Sequence, residues 1–106
     1  MKYKTSLYIN FQEVKEILLS IKSMINSDTD ILWSRYESLE EFLKDLDNDI
    51  NKIDNCDFET LHRLNGEFAP TSTYNEISFS SGWGQEYIDL SAKFDKIYKK
   101  ITTDEM

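Results

Sequence analysis

Leu7, Phe11, Val14, Leu18, Ile21 and Ile25 recur at alternating spacings of four and three, and Trp83, Tyr87, Leu90, Phe94, Ile97 and Ile101 repeat that alternation near the other end of the chain. At 3.6 residues per turn each set falls on one stripe of a helix, and an apolar stripe must be covered by something. Tyr8, Ile17, Leu19 and Met24 lie beside the first stripe and widen it. That width predicts a helix buried among several neighbours rather than one strand of a two-stranded coil. The pattern dictates an all-α fold in which the terminal helices touch.

The intervening sequence supplies the boundaries. Ser6 is placed to cap the first helix, and the turn formers of "NSDTD", residues 26–30, end it. After a short apolar stretch, "ILW" at 31–33, Ser38 and Glu41 have capping-box spacing. Leu39, Phe42, Leu43, Leu46, Ile50 and Ile53 then share one face through about residue 53. "NCD" at 55–57 is a break, Asp57 caps a short third helix carrying Phe58, Leu61 and Leu64, and Gly66 stands where a left-handed residue would stop it. The last helix is predicted to start at Ser81 or Gly82. "EISFSS", residues 76–81, alternates but is too short to make a sheet alone. The expectation is a small bundle of about four helices with one ordered loop at 67–81, forming a single domain over 1–106.

Charge narrows the partners. The formal net charge is −8, so phosphate backbones and anionic lipid are repelled and a basic protein is favoured. Cys56 is the sole cysteine, which excludes an internal disulfide and suits a reducing compartment. Asn10, Gln12 and Glu13 interrupt the first apolar cluster, so neither a secretory core nor a membrane span is read there, and a cytoplasmic protein is expected.

The charge is concentrated. Residues 37–59 hold nine acids (Glu37, Glu40, Glu41, Asp45, Asp47, Asp49, Asp54, Asp57, Glu59) against Lys44 and Lys52, a balance of −7. Projected on the second helix, Glu40, Asp47 and Asp54 share one flank of the apolar face, Asp45 and Asp49 the other, and Glu37 and Glu41 lie behind. Two readings are open: a solvated face that keeps the protein soluble, or a landing surface for a basic partner.

Catalytic chemistry finds little support. Cys56 and His62, the only thiol and the only imidazole, are six positions apart and fall on opposite sides of a helix. Glu59 and His62 form one E-x-x-H pair, whereas a dinuclear carboxylate bundle needs two such pairs. Gly82 and Gly84 flank Trp83 without the surroundings of a phosphate loop. No metal or cofactor is expected. Trp33 and Trp83 suit core anchors, a role that the stripe position of Trp83 favours, and the alternative for Trp83 is a partner contact.

Pro70, Gly82 and Gly84 crowd into residues 68–84, with Gly66 just upstream. Phe68 anchors the segment, Pro70 stiffens it, Glu76 is its only charge, and Gly84 permits the close approach of another backbone. Phe68, Ala69, Pro70, Thr71, Glu76, Ser78, Gly82, Trp83 and Gly84, followed by Phe94 and Asp95 on the last helix, form the pattern F-A-P-T-x-x-x-x-E-x-S-x-x-x-G-W-G. It resembles small bacterial immunity proteins encoded beside polymorphic toxins, including those of contact-dependent growth inhibition systems. The likeness covers about a third of the chain.

What the resemblance implies is a non-enzymatic inhibitor that binds a cognate toxin domain in the cytoplasm. A toxin attacking nucleic acid would be basic and would suit an acidic binder. Glu40, Asp45, Asp47, Asp54 and Trp83 are the expected toxin-binding residues. The rival readings are an acidic adaptor unrelated to toxins and a small enzyme or metal-binding protein.

Overall fold

The computed structural model describes residues 2–29, 31, 36–69 and 72–105, with side chains from 6 to 103. Trp33, Pro70 and Thr71, to which the sequence assigns roles, lie outside those residues. The chain is all-helical: α1 (Lys2–Ser23), α2 (Leu39–Asp54), α3 (Phe58–Glu67), α4 (Thr73–Ser80) and α5 (Gly84–Glu105). Among the described residues there is no strand, and no helix is long and apolar enough to cross a membrane.

α1 packs against both α2 and α5, so the terminal helices touch, as their shared spacing predicts. Phe11, Val14, Leu18 and Ile21 are fully buried, and Leu7 and Ile25 pack at the edge of the core. The expected widening occurs on one side only. Ile17 is buried towards α5, but Tyr8 is 52% and Leu19 38% exposed, because they lie outside the α2 seam, which is closed by lysines rather than by apolar side chains.

α2 begins as predicted, with Ser38 Oγ accepting from the Glu41 amide at 3.1 Å. The Glu41 carboxylate does not complete the capping box: it makes no hydrogen bond among the described residues. The break after α2 is a Schellman turn, in which Cys56 N–H donates to Ile53 O at 2.9 Å and Asp57 N–H to Lys52 O at 3.1 Å. The left-handed position falls on Cys56, with φ 58°, a conformation costly for any residue but glycine. Asp57 caps α3 through the Thr60 amide at 3.1 Å.

Gly66 does not stop α3. The helix runs through it to Glu67, and Phe68 follows in right-handed geometry, its N–H donating to Leu64 O at 3.0 Å. That continuation brings Phe68 into the core, stacked on Phe94 with ring centres 4.3 Å apart and edge-on to Tyr74 at 5.2 Å. Burying an aromatic ring is worth more than the roughly 1 kcal/mol that glycine costs a helix.

The segment expected as a loop at 67–81 contains α4. Tyr74, Ile77 and Ser78 are its buried residues, a three-and-four spacing that the alternation in "EISFSS" conceals. Its left-handed terminator is Gly82, with φ 90°, after which Trp83 N–H donates to Ser78 O at 2.9 Å. α5 therefore starts at Gly84, beyond the predicted Ser81 or Gly82. What comes close to Gly84 is a ring rather than a backbone: a Cβ there would lie 2.6 Å from Phe79 Cδ1.

Candidate functional site

The acidic flank of α2 faces α1. Lys15 Nζ lies 3.0 Å from Asp54 Oδ1, and Lys22 Nζ lies 2.7 Å from Asp47 Oδ1. The lysines ascend by seven residues while the acids descend by seven, so α1 and α2 run antiparallel with one charge pair per heptad. Gln12 also donates to Asp54 at 3.0 Å. The hydrogen bonds from Gln12 and Lys15, then the Lys15 charge, hold the Asp54 carboxyl below its usual range.

Glu40 is the next rung of that ladder, and it has no lysine opposite because α1 ends at Ser23. It is exposed at the open end of α2, beside exposed Glu37 and Glu41, and none of the three makes an ion pair among the described residues. On the other flank Asp45 accepts from the Tyr36 hydroxyl at 2.9 Å and is half-buried. Trp83 is 6% exposed and packs in the core, with no acceptor for its Nε1–H among the described residues. Of the five residues expected to bind a partner, one is thus a core anchor and three are held by internal bonds. Only Glu40 is both exposed and uncommitted.

The structure also assembles a buried polar cluster that the sequence does not announce. Asp49 is 6% and Glu67 9% exposed, with Tyr74 buried beside them, and Arg63 donates to Asp49 Oδ1 from a half-exposed side chain. Burial pushes the Asp49 carboxyl up, Arg63 pulls it down by charge and by hydrogen bond, and Asp45 and Glu67 add to the rise. Burial, then the Asp49 and Glu67 charges, drive the Tyr74 phenol well above its ordinary range. The available signal was the pairing of Arg63 with Glu67 at four residues on α3, opposite an acid flanking the α2 stripe. The Arg63–Asp49 bond ties α3 to α2, with Tyr74 of α4 buried beside it.

Burial, with Asp54 nearby, raises the Cys56 thiol, the opposite of what activates a nucleophile. His62 is exposed, and its Nδ1 lies 2.8 Å from the Tyr98 hydroxyl. Among the described residues no group of three His, Cys, Asp or Glu side chains converges to hold a metal.

Several hollows run along α5, and two of them lie on opposite flanks. One, of about 350 Å³, lies against α1 and has Ile17, Leu90 and Ile97 between Lys93 and Lys100 on one rim and Glu13 on the other. The second, of about 470 Å³, lies on the opposite flank and is lined by Phe68, Ala69, Ile88, Ser91, Ala92 and Phe94, with Asn65 and Asp95 at its rim.

Comparison with protein-family models, with curated proteins and with solved structures yields no match.

Proposed function

We propose that this protein is a non-enzymatic inhibitor that binds a basic toxin domain through the open end of α2. The observation that carries the reading is the position of Glu37, Glu40 and Glu41: exposed, close together, and beyond the reach of the α1 lysines that neutralise Asp47 and Asp54. Exposed charge of one sign, here without an ion pair among the described residues, steers an oppositely charged partner and raises its association rate more than its final affinity. The F-A-P-T and G-W-G likeness to immunity proteins supplies the class of partner. In this reading Asp45, Asp47 and Asp54 shape the surface, and the Glu37, Glu40, Glu41 end meets the partner first.

The test is co-expression with the product of the adjacent reading frame, followed by binding kinetics on the purified pair. Protection from lethality with a soluble complex supports the reading. Replacing Glu37, Glu40 and Glu41 together by Lys is expected to slow association at least about tenfold at low salt, with the gap closing as salt rises. Full lethality despite good expression of this protein overturns the toxin assignment. Association at an unchanged rate and salt dependence after the triple reversal removes the α2 end from the interface.

A further inference from the structure

The α4–α5 hairpin carries two of the large apolar side chains that the fold leaves outside, Phe79 at 55% and Ile88 at 46% exposure. Phe79 at the end of α4 and Ile88 on α5 share one strip of the hairpin. The Phe79 ring rests on Gly84, with space for it only because residue 84 has no Cβ. Ile88 is one turn further along, and Ser91 and Ala92 one turn beyond that. The strip therefore presents a protruding ring at one end and, from Ile88 onward, the hollow of about 470 Å³ floored by the stacked Phe68 and Phe94. Gly84 and the Ser91–Ala92 position are about 11 Å apart along the helix, and Ile88 stands midway.

We infer that the protein pairs with a second copy of itself through this strip, each Phe79 entering the other copy's hollow, with the two-fold axis beside Ile88. A knob and a hole on one face are self-complementary under a two-fold rotation, which runs the two α5 helices antiparallel and satisfies both contacts at once. The charge distribution selects the same face. Two chains of −8 repel, so a self-interface belongs where the excess charge is absent. α2, which holds that excess, makes no contact with α5, and the one acid rimming the hollow, Asp95, is paired with Lys99 at 3.1 Å. The hollow beside α1 is lined by five charged side chains, Glu13, Glu16, Lys93, Lys96 and Lys100, so closing it between copies would strip water from all five, although the exposed Ile9 stands one turn from Glu13.

Sedimentation of the intact chain over a concentration series tests this. The expected result is a mass moving from 12.5 kDa towards twice that value as concentration rises. Phe79→Ala and Ile88→Asp are expected to weaken pairing at least about tenfold, since an aromatic anchor is lost or two carboxylates are opposed at the axis. Both positions are half-exposed, so the far-UV circular dichroism should be unchanged. Ala92→Trp fills the hollow but keeps the knob; mixed with Phe79→Ala, it is expected to form a mixed pair through one intact contact, which neither variant forms alone. A wild-type monomer at every concentration, or a Phe79→Ala dimer of wild-type strength, overturns the inference. A wild-type monomer whose Phe79→Ala variant loses a heterologous partner overturns it too, and gives the strip to that partner. The triple Glu37, Glu40, Glu41 reversal should leave pairing intact, so this result and the one on α2 fail independently.

Discussion

Lys22 Nζ sits 2.7 Å from Asp47 Oδ1, one heptad along from the Lys15–Asp54 pair, and so an acidic helix is internally matched on the side that faces its neighbour. Lys22 and Asp47 are each about half exposed, at 45% and 50%, which limits what the pair contributes to stability. Lys22→Ala is expected to cost about 0.2–1 kcal/mol in urea unfolding at low salt and less at high salt. The same substitution frees the Asp47 charge. Association with a basic partner is expected to become faster than wild type, as read by stopped-flow mixing at low ionic strength. Slower association would mean that Lys22 itself contacts the partner.

Asp49 and Asp54 respond to acid in opposite directions. The folded pKa of Asp54 is lowered, so its contribution is present above the unfolded value of 3.8 and is lost as pH falls through the folded value. The folded pKa of Asp49 is raised above 3.8, so its charged form works against folding at neutral pH, and that cost lifts as pH falls through the folded value towards 3.8. Arg63 restrains the rise by charge and hydrogen bond. Arg63→Ala is expected to lose about 2 kcal/mol at pH 7 by leaving a buried carboxylate without its cation. The deficit relative to wild type should narrow on acidification, because the variant's Asp49 protonates at a higher pH. Urea unfolding of both proteins at stepped pH checks this; a deficit that stays constant down to pH 4 would show that Arg63 acts through packing.

Gly82 holds φ 90° at the end of α4 and meets nothing that would obstruct an added Cβ, so a substitution there probes the backbone alone. Gly82→Ala is expected to cost about 1–2 kcal/mol, the steric penalty of an L side chain in left-handed geometry. Gly66→Ala, inside α3 with open space around it, is expected to stabilise by about 0.5–1 kcal/mol. Opposite signs at two glycines in thermal melts would verify which of them is the terminator. Destabilisation at Gly66 would instead restore it as the end of α3.

The long stripes were legible because period and burial coincide. Phe11, Val14 and Leu18 on α1, and Phe94 and Ile101 on α5, are buried where the spacing puts them. The Ser38 and Asp57 caps were legible because a cap is a contact over three residues, within reach of local sequence. α4 was not, since three buried residues in eight leave a weak period and serine is common in loops. The roles of the glycines were exchanged for a related reason: both positions permit φ > 0, and the choice between them rests on the long-range stacking of Phe68 on Phe94, twenty-six residues away. The acidic flank was read correctly as a flank. Its pairing was hidden because it depends on the register of α1 against α2, which fixes Lys15 and Lys22 opposite Asp54 and Asp47 and leaves Glu40 without a counterpart.

Trp83 is where the two expected roles separate experimentally. Its side chain is 6% exposed between α4 and α5, and its Nε1–H has no acceptor among the described residues. A buried donor without a partner costs about 1–3 kcal/mol, so the indole binds the core by area and opposes it by its N–H. Trp83→Phe removes the donor together with part of the area, and the two changes largely offset: the expected loss in urea unfolding is under about 1.5 kcal/mol. Trp83→Ala opens a cavity and is expected to lose about 3–5 kcal/mol, a large share of the stability of a domain this size. Folded Trp83→Phe should bind a partner with wild-type affinity by isothermal titration, because a buried ring reaches that partner only through the scaffold. Weakened binding with unchanged stability would return Trp83 to the interface, and with it the G-W-G turn.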